Sequence, residues 1–312
     1  MTDVVPMRLQ GEVPELRMES IEEDAHRNLG RFREQLDTWG FMALEMPSIG
    51  ARVDRLYKAF DAALKSTSPS LAEFATAKTP QATPGGNHGF FPFESEVPRL
   101  AAGVPDPKEF MHVSGAMLDD VPPGAAAMLT AFPDLADHSR FLFETAFRVA
   151  QALGGVVLEL LPGEPPKLDL SAYSSILRVI HYRDPDRREV LAHEHSGIQM
   201  VGVQLPPSEG GLQYVLNDGT WVEPVIQGTD VLLFNIGRML STASGGRVRP
   251  STHRVHRSPL ATSVERWSSV LFVHPNHEDP QWWMDGDGNT VVSDATWGDF
   301  VHKGLNELGL TD

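Results

Sequence analysis

The sequence predicts a fold of mainly β structure with flanking helices (α+β), with a β core in the carboxy-terminal half of the chain. After Ser171, short apolar runs such as IQMVGVQL and DVLLFNIG alternate with turn segments such as NDG and SEGG, a pattern typical of a sandwich or barrel. Before that point, apolar residues recur at helical spacing. With 312 residues, 41% hydrophobic and 22% charged, the chain is long enough to bury a full core.

The first half of the chain predicts three helices and a strand. Ser20 and Glu23 have the spacing of a capping box, and the helix that they begin is expected to end at Gly40. The other predicted elements are a strand over FMALEM, an amphipathic helix over 53–64 and a long helix over 134–153 that ends at LGG.

We interpret the chain as one domain over 1–312 with three parts. Residues 1–170 form a largely helical lead-in with substrate loops, 171–280 form the β core with its site, and 281–312 form a carboxy-terminal segment. Within the lead-in, 79–106 is rich in Pro, Gly and aromatic residues, which favours an ordered loop that packs on the core. Loops of this kind are expected to shape a ligand pocket.

Charge and cysteine content restrict the partners. The formal net charge of −16 repels nucleic acid and anionic lipid, so neither is an expected partner. It favours a neutral or cationic small-molecule substrate, although one local arginine would reverse that preference. The chain has no cysteine, so any metal must use nitrogen and oxygen ligands. The first residues resemble neither a signal peptide nor a membrane span, and we expect a cytoplasmic protein. The sequence does not indicate the oligomeric state.

The segment LAHEHSGIQM, residues 191–200, contains the first candidate site. Side chains alternate along a strand, so His193 and His195 are expected on one face and Glu194 on the other. His253, in STHRVH, lies on a later strand that could bring a third imidazole beside them. Three imidazoles would suit Fe, Zn, Cu or Ni. For an isolated His-x-His pair, a solvated strand end is the alternative interpretation.

The order of the motifs GGLQYVLNDGTWVEPV, DVLLFNIG, HRV and RWSSVLFVHPN resembles the isopenicillin N synthase-like branch of the non-haem iron, 2-oxoglutarate-dependent oxygenases. The resemblance covers most of the chain and is strongest over 177–276. It implies a double-stranded β-helix (jelly-roll) core, Fe(II), 2-oxoglutarate and O2. The implied reaction is hydroxylation, desaturation or cyclisation of a small organic substrate.

The resemblance also implies roles for particular residues. A His-x-Asp pair and a distant histidine hold iron in that family, and these positions are His193, His195 and His253 here. An Arg-x-Ser pair binds the distal carboxylate of 2-oxoglutarate, and here it is Arg266 and Ser268. An arginine presents a planar fork of donors that matches a carboxylate.

Two further residues are candidate catalytic groups. Tyr182 matches a family tyrosine that faces the cofactor, and Arg178 and Ile180 share its face by the period of 2. The family often has Asn in place of Ile180, which implies a less polar cofactor pocket here. The alternative for Tyr182 and Arg178 is an ordinary buried hydrogen bond or ion pair.

His195 departs from the family pattern, which has aspartate at this position. It could bind iron as a neutral third imidazole, as in three-His dioxygenases of cupin type, or turn away and leave the position to Glu194 or water. Alternatively, metal binding could be weak and activity lost. Related halogenases have a small residue at this position, which leaves room for chloride. Histidine would fill that room, so halogenation is not implied.

Two other functions are compatible with the residues. One is a three-His dioxygenase that activates O2 without 2-oxoglutarate, although Arg266 and Ser268 would then lack a partner. The other is a non-catalytic metal- or ligand-binding relative. Of the remaining histidines, His88 is a candidate for the substrate loop. His256 is expected on the side opposite His253, and His274 and His277 are expected in a loop.

Overall fold

The computed structural model describes residues 4–9, 13–75, 88–96, 104–183, 188–226, 228–259 and 261–308. Its helices are α1 Ile21–Arg27, α2 Leu29–Trp39, α3 Ile49–Lys65, α4 Gly115–Leu118, α5 Ala127–Ala131, α6 Pro133–Glu159, α7 Arg238–Ala243 and α8 Trp297–Leu308. Short 3-10 helices cover Met18–Ser20 and Leu71–Phe74.

The strands of the lead-in are β1 Val5–Arg8, β2 Phe41–Glu45, β3 Gly89–Phe91 and β4 Lys108–Ser114. The strands that follow are β5 Leu170–Arg183, β6 Val190–His195, β7 Val201–Leu205, β8 Leu212–Val215, β9 Trp221–Val225, β10 Val231–Ile236, β11 His253–His256, β12 Glu265–Pro275, β13 Pro280–Met284 and β14 Thr290–Thr296.

Two sheets face each other and enclose the interior of the fold. The larger sheet has the order β2-β10-β7-β12-β5-β4-β3, and the smaller has the order β1-β9-β8-β11-β6. Strands β13 and β14 form a separate hairpin. The sequence prediction of mainly β structure with flanking helices is therefore confirmed.

The larger sheet lies between two apolar layers, as the alternation along β10 shows. Leu232 and Phe234 belong to the cluster shared with the helices, whereas Val231 and Leu233 belong to the cluster between the sheets. A strand alternates its side chains between two faces, so a strand buried on both sides is apolar throughout. The candidate site lies on the face toward the smaller sheet.

Three predictions about the helices need correction or extension. The first helix is interrupted at Asn28, which ends α1 and begins α2. Ser20 forms no capping box there, because its hydroxyl donates to Asp24 instead (2.8 Å). Helix α6 continues past LGG to Glu159. A Cβ on Gly154 would lie 2.9 Å from a methyl of Leu168, so this glycine allows close packing and does not end the helix.

The helix α6 is, among the described residues, the one that is long and apolar enough to cross a membrane by length and composition. It contributes twelve buried residues, and it packs against α3, α1 and the larger sheet. Core burial therefore accounts for its apolar character.

The lead-in contributes strands to the sheet that carries the site. The strand β2 lies at one edge of the larger sheet. The strands β3 and β4, which were not predicted from the sequence, lie at the other edge. Of the predicted loop 79–106, residues 88–96 and 104–106 are described and the rest lie outside the described residues. The division into three parts of one domain stays a prediction.

Candidate active site

Two of the predicted metal ligands are cross-strand partners in the smaller sheet. His195 on β6 lies opposite His253 on β11, with ring centres 4.4 Å apart. Directly opposed residues in an antiparallel pair place their side chains on the same face. His195 and His253 therefore share one position in the interior.

Hydrogen bonds to the main chain fix the orientation of both rings. Nδ1 of His195 donates to the carbonyl of His193 (2.7 Å), and Nδ1 of His253 donates to the carbonyl of Ser251 (2.9 Å). A carbonyl only accepts, so Nδ1 carries the proton and Nε2 keeps its lone pair. Burial lowers the pKa of both imidazoles, and burial and the nearby His195 lower that of His253 to about 3. Both rings are therefore neutral potential ligands at pH 7.

An irregularity in β6 interrupts the regular alternation expected between His193 and His195. His253 pairs with His195, but Val255 pairs with Ala192. Two steps on β11 thus correspond to three on β6, as in a β-bulge, and the period of 2 fails between these residues. Among the described residues, no group of three or more His, Asp or Glu side chains could hold a metal ion. Ligation by His193 stays a prediction.

Arg266 and Ser268 lie on the inner face of the larger sheet, as predicted. Arg266 is 4% exposed, and its Nε donates to the carbonyl of Gly210 (2.9 Å). Its Nη1 and Nη2 atoms are buried and have no hydrogen-bond partner among the described residues. A buried donor without a partner costs about 1–3 kcal/mol. The unpaired edge of this guanidinium is therefore a site that could bind a carboxylate.

Ser268 and Tyr182 complete this wall. The hydroxyl of Ser268 accepts a hydrogen bond from Nε2 of Gln204 (2.9 Å), a residue that the sequence analysis missed. Tyr182 pairs with Arg266 across the strands, and its ring centre lies 5.5 Å from the guanidinium carbon. Burial raises the pKa of Tyr182, so the phenol is neutral. Ile180 is the partner of Ser268, which makes this part of the wall apolar, as the sequence indicated.

Arg178 lies two residues further along the same face, in a buried ionic cluster. Its Nε donates to Nε2 of His112 (2.7 Å), and its Nη1 and Nη2 contact the two carboxylate oxygens of Glu96 at 3.4 Å each. Lys108 pairs with the same Glu96 and with Asp106 (2.8 Å). We name Glu96, Asp106, Lys108, His112 and Arg178 the ionic cluster.

Glu96 and Lys108 of the ionic cluster keep their charges although they are buried. Burial opposes the ionisation of Glu96, but Arg178 and Lys108 outweigh it and hold the pKa of that carboxyl well below its usual range. Burial likewise opposes the charge on Lys108, and Glu96 and Asp106 keep its pKa above the usual value. The charges of Lys108, Glu96 and Arg178 also act on His195. The ionic cluster therefore lies within electrostatic reach of the histidine pair.

Tyr214 supports His253 from the side opposite His195. It pairs with His253 across β8 and β11, with ring centres 5.6 Å apart. Its hydroxyl donates to Oδ1 of Asn235 (2.9 Å), and its ring stacks on Phe41 (4.3 Å). Tyr214 was not predicted from the sequence, because only the pairing of β8 with β11 shows what it contacts.

The remaining histidines are distributed around the fold. His274 lies on strand β12 and is buried, not in a loop as expected, and burial lowers its pKa to about 3. His277 follows that strand with its ring centre 5.5 Å from that of His274. His256 is half-buried, and burial lowers its pKa. His88 precedes β3 and is half-buried.

Solved structures share this architecture over nearly the whole chain. A 2OG-Fe(II) oxygenase family protein from Caulobacter crescentus superposes with a TM-score of 0.71 at 21% identity, covering 96% of this chain and 99% of that one. A full-length Neurospora crassa protein in complex with alpha-KG gives a TM-score of 0.64 at 17% identity, covering 98% and 100%. At these identities the likeness shows the fold, which is the double-stranded β-helix implied by the sequence.

The sequence of the core also has similar proteins. Residues 173–275 match the model of the 2OG-Fe(II) oxygenase superfamily. The region includes the histidine pair and Arg266. A 2-oxoglutarate-dependent dioxygenase, traH, from Penicillium crustosum is 29% identical over 201 residues, which cover 58% of this chain and 57% of that protein. The chain spans between 22% and 57% of the length of the curated relatives it matches.

Proposed function

We propose that this protein is an Fe(II)- and 2-oxoglutarate-dependent oxygenase that oxidises a small organic substrate. The unpaired Nη1 and Nη2 atoms of buried Arg266 carry the proposal, because the distal carboxylate of 2-oxoglutarate would satisfy both. The match of residues 173–275 to the 2OG-Fe(II) oxygenase superfamily supports the same cosubstrate.

The histidines fit an iron ion by the chemistry of their donors. Nε2 of His195 and Nε2 of His253 retain lone pairs, since each Nδ1 donates to a carbonyl, and imidazole is a suitable ligand for iron. We propose His193 as the third ligand, which requires its side chain to turn inward at the irregular part of β6. When bound, iron would supply O2 activation, while 2-oxoglutarate would supply two electrons.

The side chains of the protein would bind and orient the 2-oxoacid and enclose the site. Arg266 and Ser268 would fix the 2-oxoacid, and Tyr182 would limit its movement as the residue opposite Arg266. The apolar lining around Ile180 excludes water from the interior, which strengthens the electrostatic contacts made there. No side chain of the protein is required as a nucleophile, because the cofactor carries the chemistry.

The test is an anaerobic titration of the purified protein with Fe(II) and then with 2-oxoglutarate. We expect stoichiometric Fe(II) binding and a visible charge-transfer absorption when the 2-oxoacid chelates the metal. In air, slow uncoupled turnover should release succinate. The variant R266M should bind Fe(II) normally but need far more 2-oxoglutarate for the same absorption.

Three results would oppose the proposal. Bound Fe(II) without any response to 2-oxoglutarate would favour direct chelation of another substrate. An absence of Fe(II) binding would indicate that the altered motif has lost the metal. A response to 2-oxoglutarate that is identical in R266M would remove Arg266 from the site.

A further inference from the structure

The interior between the sheets carries an excess of one positive side-chain charge among the described residues. The three cations are Lys108, Arg178 and Arg266, and the two carboxylates paired with them are Glu96 and Asp106. Glu209 and Glu223 are partly exposed and act on Arg266 through their charge, without a hydrogen bond to its Nη atoms. Glu109 is also buried but faces the helices, where it pairs with His181 on the other side of the sheet (3.0 Å). A buried charge is costly unless it is paired, so the excess calls for one more anion.

The proposed cofactors would not remove this excess. Fe(II) is a dication, 2-oxoglutarate is a dianion, and histidine ligands are neutral. An aspartate at position 195, as in the family pattern, would supply the missing negative charge. His195 does not supply it, so the anion must come from outside the chain.

Arg178 offers the place where such an anion would bind. Its Nη1 and Nη2 atoms contact Glu96 at 3.4 Å, whereas a charge-assisted N–H to O bond is about 2.7–2.9 Å. Glu96 has its closer partner in Lys108. The Nη edge of Arg178 is thus an under-used pair of donors, and the side chain is 17% exposed.

An aromatic wall borders Arg178. Its guanidinium carbon lies 4.4 Å from the ring centre of Phe110, and Phe91 stacks on Phe110 at 4.5 Å with 9° between the planes. The ring of His112 tilts against both. Such a surface suits a planar apolar body whose charged group reaches the guanidinium.

We propose that the substrate is a carboxylic acid bound as a monoanion, and that Arg178 selects it through its Nη edge. This inference rests on the proposed function and names the substrate class of the same site. It reverses the preference for a neutral or cationic substrate that the net charge of −16 suggested, because the local charge of the interior has the opposite sign.

The test compares carboxylic acids with their uncharged primary amides. Benzoate, phenylacetate and 3-phenylpropanoate would each be titrated calorimetrically, without oxygen, into protein loaded with Fe(II) and 2-oxoglutarate, in parallel with the matched amide. We expect the best acid to bind about 10-fold or more tightly than its amide, equivalent to one charge-assisted contact. Acetate and chloride at equal ionic strength would show whether a small anion alone suffices.

Variants of the ionic cluster separate recognition from structure. R178M should abolish the preference for the acid, whereas E96Q should increase it about 3-fold or more, because it frees the Nη edge and adds to the positive excess. R183M is the matched control, since Arg183 lies at the exposed end of the same strand. The double variant E96Q/R178M removes one charge of each sign. It replaces R178M in the comparison of acid and amide if R178M alone folds poorly.

The results that would overturn this inference differ from those that would contradict the proposed function. Equal binding of acids and amides, no binding of any acid, or an unchanged preference in R178M would each overturn the inference. Chloride that binds as tightly as the best acid would also overturn it, since the anion would then be inorganic. A wild-type protein that fails to bind 2-oxoglutarate would instead contradict the proposed function, whereas normal 2-oxoglutarate binding without acid selectivity would leave that function intact.

Discussion

His195 and His253 face each other across two antiparallel strands with their ring centres 4.4 Å apart. Each ring is held by a hydrogen bond from its own Nδ1 to the carbonyl two residues earlier. The same hydrogen bond on both strands leaves both Nε2 atoms available to bind a metal ion. Because the backbone fixes the rings, a metal ion would need little reorganisation of this pair.

Removal of His253 is expected to weaken Fe(II) binding by at least about 100-fold. Loss of a residue that only supports a metal ligand weakens metal binding by about 10- to 100-fold, and loss of a ligand itself should cost more. The variant is H253A, and anaerobic calorimetry with Fe(II) is the measurement. H302A is the matched control, because His302 is an exposed histidine on α8, outside the two sheets. Equal losses in both variants would contradict a specific role for His253.

Substitutions at His195 separate ligation from packing. H195A should weaken Fe(II) binding as H253A does, and H195D should retain it, because aspartate restores the anionic ligand of the family pattern. H195D should also weaken acid binding at Arg178, since it removes the positive excess of the interior. Full Fe(II) affinity in H195A would exclude His195 as a ligand.

Loss of the Arg266 guanidinium is expected to weaken 2-oxoglutarate binding by about 10- to 100-fold in R266M, because two charge-assisted hydrogen bonds are lost. The Fe(II) affinity should stay unchanged, and the charge-transfer absorption measures both. S268A should have a smaller effect, since Ser268 offers one hydroxyl that Gln204 already contacts. A larger loss in S268A than in R266M would contradict these roles.

The sequence predicted the strands of the core and the positions of Arg266 and Ser268, because a period of 2 fixes the face of each side chain on a regular strand. It did not indicate the irregularity in β6 beside His193, because that irregularity arises from pairing with β11 and leaves no local signal. The interruption of the first helix at Asn28 was missed for a related reason. Asn28 donates hydrogen bonds from its backbone N–H (3.2 Å) and its side-chain amide (2.8 Å) to the carbonyl of Asp24, and the apolar spacing does not reveal these bonds.

The ionic cluster could not be predicted, because its members are far apart in the chain. Glu96 and Lys108 come from the lead-in, and Arg178 comes from the core. Only the antiparallel register of β4 and β5 brings His112 opposite Arg178 and Lys108 opposite Tyr182. The motif identified Arg178 as a residue facing the site but not the charges around it.

Loss of the Tyr214 hydroxyl is expected to affect both stability and the metal site. Y214F keeps the stacking on Phe41 but leaves Oδ1 of Asn235 without its donor (2.9 Å in the wild type). An unsatisfied buried acceptor costs about 1–3 kcal/mol, which urea unfolding would measure. Because Tyr214 packs beside His253, Fe(II) affinity should fall by about 10-fold. A purely structural role would lower stability and leave the affinity of the folded protein unchanged.

Asp24 is expected to make the stability of the helical layer depend on pH. Its carboxylate is 2% exposed and accepts hydrogen bonds from Ser20 (2.8 Å), the Arg17 amide (3.2 Å) and Arg27 (2.6 Å). Burial opposes its ionisation, but the hydrogen bonds from Ser20 and Arg17 and the charge of Arg17 outweigh it and lower the pKa from 3.8 to about 2. A pKa that is lower in the folded state than in the unfolded state stabilises the fold at pH values above the unfolded pKa. This contribution disappears as the pH falls from about 4 toward 2.

The variant D24N should therefore be less stable than the wild type at pH 7, by about 1–2 kcal/mol once solvent screening of the two arginines is allowed for. The difference should shrink between pH 4 and pH 2, as followed by urea unfolding at each pH. E23Q removes the same charge from an exposed position of the same helix and should change stability little. A D24N deficit that stays constant over that pH range would show that Asp24 acts through packing, because only an ionised carboxylate loses its contribution in acid.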